Sequence, residues 1–276
     1  MSPAMVSAML TAPVEAQTPH HREAVERVIA VMSRRLDERF SLEDLAALAF
    51  FSPYHFHRVF RSVTGIPPGR FFSALRIEAA KRLLLTSDLS VTEICLDVGY
   101  QSLGTFTSQF SRLVGMSPRR LRELARRGDL ACVEPSLAAP PRSPSDLSAA
   151  AGHLELEGEG EAVAAIGLFP TRLAEGRPAG CTLAAAPGTY ELDADRTGSF
   201  YLLGVSITPS SGWTDLLLQD GDVLVAASME PVTVRPGRPS RRVDLVLRPR
   251  RLTDPPILLA PALLAGAVQV GEPTAA

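Results

Sequence analysis

Apolar residues in the first half of the chain recur at the three- and four-residue spacing of amphipathic helices. Short clusters of serine, glycine and proline separate these stretches, at positions where helices begin and end. From about residue 153 the pattern changes to alternation and to short apolar runs between glycine and proline, which is typical of β-strands. The pattern therefore predicts a helical domain followed by a β-rich one.

The helical part contains an internal repeat. With a shift of 50 residues, SPYHFHRVFRSVTGIPPGR at 52–70 aligns with SLGTFTSQFSRLVGMSPRR at 102–120. The same shift places Phe50 on Tyr100 and Glu43 on Glu93. Because only two copies are present, the repeat indicates a duplicated module rather than a solenoid.

Each copy has the pattern of a helix–turn–helix. The residues predicted to begin the four helices are Ser41, Ser52, Ser90 and Ser102. The second helix of each copy, at about 52–64 and 102–114, buries a stripe led by phenylalanines and stops at a glycine. A long helix at about 69–85 joins the copies, and an opening and a closing helix complete a predicted unit of seven.

This arrangement suits DNA, because a helix fits the major groove and successive groove faces recur about every 34–36 Å. Two exposed helices on a rigid spacer are expected to enter adjacent segments of one duplex. The residues predicted to read base edges are Tyr54, His57, Arg58, Leu103, Gly104, Thr105 and Ser108. The residues predicted to contact phosphate are Ser52, Arg61, Arg70, Ser102, Arg112, Arg119 and Arg120.

Residues 22–125 resemble the AraC/XylS DNA-binding domain. The resemblance rests mainly on Leu45–Ala46, Ser52–Phe60, Gly65, Pro68, Arg76, Val98–Tyr100, Ser102, Phe106, Phe110 and Gly115–Pro118. It implies a transcription regulator whose two helix–turn–helix units bind adjacent major-groove segments. Gly104 and Ser108 stand where members often carry polar or basic residues, so the second helix is expected to contribute less to base readout.

Five segments are predicted along the chain. They are a disordered leader at 1–20, the DNA-binding domain at 21–127, a Pro/Ser/Ala-rich linker at 128–152, a mostly antiparallel β-sandwich at 153–265 and a flexible tail at 266–276. The candidate strands are 153–157, 162–169, 181–186, 189–193, 199–207, 222–228, 231–235, 242–248 and 256–260. Short motifs such as Asp195–Phe200 weakly resemble the carboxypeptidase-regulatory-like (transthyretin-type) sandwich, which implies a binding or assembly role.

Charge and composition refine this picture. The 276-residue chain has a net charge of −2, but residues 20–127 hold 17 basic and 11 acidic side chains, a net of +6. A basic half fits a polyanionic partner. The three cysteines lie far apart, which predicts reduced thiols in a cytoplasm rather than disulfides or zinc. Since catalytic motifs are absent from the sequence, no catalytic residue, cofactor, metal or enzyme activity is predicted.

The predicted function is sequence-specific transcription regulation through double-stranded DNA, by a monomer or homodimer without membrane contact. The β-rich domain is expected to sense a small-molecule effector, to dimerise or to contact RNA polymerase. The alternative interpretation is a ligand-binding or scaffold protein that does not bind DNA and whose helical half is an assembly module. The two interpretations differ in one observable, since the alternative predicts no salt-dependent binding to duplex DNA.

Overall fold

The computed structural model describes residues 19–127, 148–207, 223–236 and 241–258. In the first range lie seven helices: α1 (Pro19–Arg34), α2 (Leu42–Leu48), α3 (Pro53–Thr64), α4 (Pro68–Thr86), α5 (Val91–Asp97), α6 (Leu103–Val114) and α7 (Pro118–Arg127). The predicted helical unit is therefore confirmed. The predicted disordered leader extended to residue 20, but α1 already begins at Pro19. Residues 1–18 of that predicted segment lie outside the described ranges.

Side-chain caps fix where the short helices begin. Ser41 and Asp44 form a reciprocal capping box at the start of α2, and Ser90 and Glu93 form the same box at α5. The hydrogen bonds from Ser41 and Ser90 hold the pKa of both carboxyl groups below its usual value. Local sequence therefore determines these boundaries.

The two copies of the repeat align differently from the sequence prediction at their first helices. The capping boxes pair Ser41 with Ser90, a shift of 49 residues, whereas α3 and α6 keep the shift of 50. In both copies a positive-φ residue ends the first helix, Phe50 (58°) in one and Gly99 (82°) in the other. The pairing of Phe50 with Tyr100 and of Glu43 with Glu93 was therefore wrong, because the second copy has one more residue in its turn, between the two helices.

The predicted phenylalanine stripes form the centre of the helical core. Phe56 and Phe60 of α3 and Phe106 and Phe110 of α6 are completely buried. Both helices end at a left-handed glycine, Gly65 with φ 82° and Gly115 with φ 88°. Since these stripes face inward, the opposite side of each helix faces solvent.

Nine strands make up the described part of the second half: β1 (Ser148–Leu156), β2 (Ala162–Phe169), β3 (Cys181–Ala186), β4 (Gly188–Asp193), β5 (Gly198–Ile207), β6 (Leu224–Ala227), β7 (Val232–Val234), β8 (Arg241–Arg242) and β9 (Leu245–Pro249). Their order is β3-β2-β5-β6-β9-β1-β4, with β7 on β5 and β8 on β1. All pairings are antiparallel except those of β1 with β8 and β9.

The observed strands confirm the prediction of a mostly antiparallel β-domain, but the shape of the sheet differs from the predicted sandwich. The end strands β3 and β4 pack together, so the sheet rolls into a nearly barrel-shaped layer around Leu154, Ile166 and Leu202. Strand β1 begins at Ser148, inside the segment predicted as linker to residue 152, because residues 148–151 pair with β4 and β8. Residues 256–258 form no strand. The remainder of the linker prediction (128–147) and the tail at 266–276 lie outside the described residues.

The β-rich domain packs directly on the helices. Leu173 and Leu258 are completely buried and belong to the helical core. Their burial shows that the helical core extends across the boundary between the two domains. Among the helices of the described ranges, none combines the length and the apolar character needed to cross a bilayer.

Candidate nucleic-acid interface

Helix α3 presents one polar side to solvent. Pro53 occupies its first turn, where the missing backbone N–H breaks no hydrogen bond of the helix. Tyr54 is 80% exposed, Arg58 is exposed and His57 is half-buried, all on the side opposite the phenylalanines. These side chains can donate to base edges, and Arg58 has the bidentate geometry that suits guanine.

Helix α6 presents smaller groups. Leu103 is 44% exposed, and Gly104, Thr105 and Ser108 are exposed. A Cβ atom on Gly104 would meet only the Ser102 Oγ, at 3.8 Å, so the backbone there is open to close approach. The first two turns of the helix therefore offer apolar contact and hydroxyl groups, rather than long basic side chains.

The predicted phosphate contacts divide into two groups. Ser52, Arg61, Ser102, Arg119 and Arg120 are exposed near helix ends. Ser52 makes no side-chain cap bond, whereas the Ser102 Oγ accepts the Thr105 N–H at 3.4 Å. Arg70 and Arg112 instead meet Glu175 of the β-rich domain. The structure thus brings together two arginines that lie 42 positions apart in sequence.

The contact with Glu175 belongs to a short stretch that sequence analysis missed. We call residues Arg172–Gly176 the bridge segment. A Cβ built on Gly65, the C-cap of α3, would clash with the Arg172 Cδ, so the two residues are in close contact. The Gly176 N–H donates to the Leu113 carbonyl near the end of α6 at 2.7 Å. The bridge segment therefore contacts the ends of both α3 and α6, and no local pattern in the sequence signals this contact.

A groove in the β-rich domain is lined in part by Arg172 and Ala174 of the bridge segment. Its volume is about 530 Å³ including space open to solvent, and Phe169, Leu203, Val205 and Ile257 supply apolar walls. Arg248 also lines it and donates to both Asp254 carboxylate oxygens at 2.7 Å, which raises the pKa of its guanidinium. In the described residues no cluster of histidine, cysteine and acidic side chains is arranged to hold a metal ion.

Comparison with known proteins identifies the family of the helical part. A family model described as a helix-turn-helix domain matches residues 45–124. The HTH-type transcriptional activator AarP of Providencia stuartii is 31% identical over 123 residues, which are 44% of this chain and 90% of AarP. This chain belongs to the AraC family. The AraC-type resemblance of residues 22–125 is thereby confirmed.

Two other relatives match 36% and 38% of the AraC-family chain. The MmsAB operon regulatory protein of Pseudomonas aeruginosa is 38% identical over 100 residues, 36% of this chain and 33% of that protein. The bifunctional transcriptional activator/DNA repair enzyme AdaA of Bacillus subtilis is 29% identical over 104 residues, 38% of this chain and 49% of that protein. The chain thus spans half or less of these two relatives.

Among solved structures, the DNA-binding domain of AdpA in complex with a target DNA is 39% identical to the AraC-type part of the chain. The match covers 38% of this chain and 96% of that one, with a TM-score of 0.36. The family model ends at residue 124. The transthyretin-type assignment of the β-rich domain therefore stays a prediction.

Proposed function

We propose that this AraC-family chain is a sequence-specific transcription regulator that inserts α3 and α6 into adjacent major-groove segments of one DNA duplex. The observation that carries the proposal is the duplicated pair of capped helices, each with a buried apolar stripe and an exposed polar face. The 19-residue helix α4 joins the two units. At about 1.5 Å per residue it is a strut of roughly 28 Å, which suits groove faces one helical turn apart.

Base readout is divided unequally between the two helices in this proposal. Tyr54, His57 and Arg58 of α3 supply directional hydrogen bonds, whereas α6 supplies close approach and a thymine-methyl contact through Leu103. The exposed arginines at helix ends position the protein on the DNA backbone and contribute affinity that does not depend on the base sequence. We expect this division to make the half-site read by α3 the more strictly defined one.

The β-rich domain regulates occupancy in the same proposal, and the protein acts in the cytoplasm without catalysis. Its groove has a mostly apolar lining with a few polar groups, which supports effector binding. Dimerisation and contact with RNA polymerase are the other roles we propose for this domain. Thermal-shift screening of the full chain with small apolar compounds tests the effector role.

Binding of the full chain to a labelled mixed-sequence duplex tests DNA recognition. We expect the dissociation constant to rise steeply with salt, and Arg61→Ala to weaken binding and reduce the salt slope by about 1. Arg241→Ala removes the same charge from the exposed strand β8 and should leave binding unchanged. Absence of salt-dependent binding would favour the scaffold interpretation instead.

A further inference from the structure

Two arginines that the sequence predicts to contact DNA phosphates are paired with a carboxylate of the same chain. Glu175 Oε1 accepts a hydrogen bond from Arg70 Nη2 and lies 3.6 Å from Arg112 Nη1. Arg70 is in the first turn of α4 and Arg112 in the last turn of α6, so one oxygen joins the connecting helix to the second helix–turn–helix unit. A carboxylate oxygen presents arginine with the same charge and acceptor geometry as a phosphate oxygen.

From this geometry we propose that Glu175 is an internal competitor of DNA phosphate for Arg70 and Arg112. The inference rests on the proposed function, since it matters only if the helical domain binds DNA. It assigns the β-rich domain a specific means of lowering the affinity for DNA, through one side chain rather than through coverage of α3 and α6. Tyr54 and Leu103, on the exposed faces of those helices, remain open to solvent while the contact is made.

The contact is accessible to exchange. The Arg112 side chain is 59% exposed and that of Arg70 is 34% exposed, so a phosphate can approach either guanidinium from solvent. Glu175 is only 10% exposed, and its Oε2 is buried without a hydrogen-bond partner in the described part of the chain. A buried carboxylate without partners is costly, so Glu175 has to turn toward solvent when a phosphate takes its arginines.

Exchange does not require the domains to separate. Leu173 remains buried in the helical core next to Glu175, and the Gly176 N–H remains bonded to the Leu113 carbonyl. Undocking would expose Leu173 and Leu258 together and would lose the burial of both side chains. The competition is therefore a movement of the Glu175 side chain within a fixed bridge segment.

A second ion pair across the domain boundary provides a matched control. Arg250 Nη2 lies 3.0 Å from Glu78 Oε1, and neither residue belongs to the predicted DNA contacts. Glu78→Gln breaks one ion pair between the domains and Glu175→Gln breaks two, and each variant raises the net charge of the protein by one. A general effect of charge or domain docking changes both variants alike, whereas competition for phosphate changes only Glu175→Gln.

The test measures binding of the full chain and its variants to a labelled mixed-sequence duplex of about 25 base pairs, which spans two groove faces. We expect Glu175→Gln to bind on the order of fivefold more tightly at about 0.1 M salt, with a salt slope steeper by about 1. Glu78→Gln should bind as the wild type does. Introduced into an Arg70→Ala/Arg112→Ala chain, Glu175→Gln should produce no gain, and thermal unfolding checks that each variant is folded.

Unchanged or weaker binding by folded Glu175→Gln would overturn the competition, as would an equal gain in Glu78→Gln. A gain that persists without Arg70 and Arg112 would do the same. If neither the wild type nor any variant binds the duplex with salt dependence, the proposed function itself fails. That outcome is distinct from a wild type that binds while Glu175→Gln shows no gain.

Discussion

Arg58 and Arg61 lie three positions apart on α3, and their places relative to the helix end separate their proposed roles. Arg58 is in the middle of the exposed face beside Tyr54, where a guanidinium reaches base edges. Arg61 is in the last turn, where the duplex backbone rather than the groove floor is the nearer partner. The same side chain is therefore expected to supply specificity at one position and affinity at the other.

Arg58→Ala should flatten the preference at one base pair of the bound site, because a bidentate contact with guanine is worth about 1–3 kcal/mol of discrimination. Selection of bound duplexes from a random pool measures this preference position by position. Arg61→Ala serves as the comparison, and it should bind every sequence more weakly with the preferences unchanged. An unaltered preference in the Arg58→Ala selection would remove Arg58 from base readout.

At the scale of elements, two glycines four residues apart have opposite structural requirements. Gly65 ends α3 with φ 82°, and Arg172 of the bridge segment lies against its Cα. Gly69 lies in the first turn of α4, and a Cβ there would meet nothing within 4 Å. Left-handed backbone disfavours a side chain, whereas helical backbone disfavours glycine through its conformational entropy.

We therefore expect Gly65→Ala to lower the free energy of unfolding by about 1–2 kcal/mol, from backbone strain and displacement of Arg172. Gly69→Ala should raise it by about 0.5–1 kcal/mol. Denaturant unfolding followed by circular dichroism measures both changes. Equal effects of the two variants would contradict the assignment of Gly65 as a left-handed cap.

At the scale of the whole molecule, the only lysine of the chain is buried where the domains meet. Lys81 of α4 donates to the Ile257 carbonyl at 3.3 Å. Burial lowers the pKa of Lys81 to about 8, with Glu78 acting in the opposite direction and Arg250 lowering it further. A charged ammonium at this joint therefore opposes domain packing below that pH.

This arrangement predicts how stability depends on pH. Between about pH 8 and 10.5 the unfolded chain keeps the lysine proton that the folded chain has lost, so this residue makes stability rise with pH. Below pH 8 the destabilisation that the buried Lys81 charge causes is fully present. Lys81→Met should therefore be most stabilising, relative to wild type, near neutral pH, and its advantage should shrink toward pH 10.5.

Thermal unfolding of both proteins across this window measures the difference. Taking the difference between the two proteins removes the opposing contribution of the thiols of buried Cys95 and half-buried Cys181, whose pKa values are raised by desolvation. A constant difference between wild type and Lys81→Met from pH 7 to 10.5 would show that Lys81 does not titrate in this window.

Short-range chemistry made much of this fold predictable. Ser41, Ser90 and Gly65 act on backbone groups within four residues of themselves, so they mark helix ends wherever the rest of the chain lies. The burial stripe of α3 likewise follows from residue spacing, and it placed Tyr54 and Arg58 on the exposed side. The sequence pattern did not reveal the one-residue difference between the repeats. The residue with positive φ is Phe50 in the first turn and Gly99 in the second, so no shared residue type marks the equivalent positions.

Contacts between distant segments were decided only by the tertiary structure. Nothing near Glu175 in the chain indicates that it meets Arg70, 105 positions away, or that Leu258 completes a core of helices. Both contacts depend on how the rolled sheet and the helices dock, which is a sum over many weak apolar contacts and leaves no periodic trace. Local hydrogen bonds and residue spacing thus specify helices α3 and α6, while long-range packing alone places Glu175 against Arg70 of α4 and Arg112 of α6.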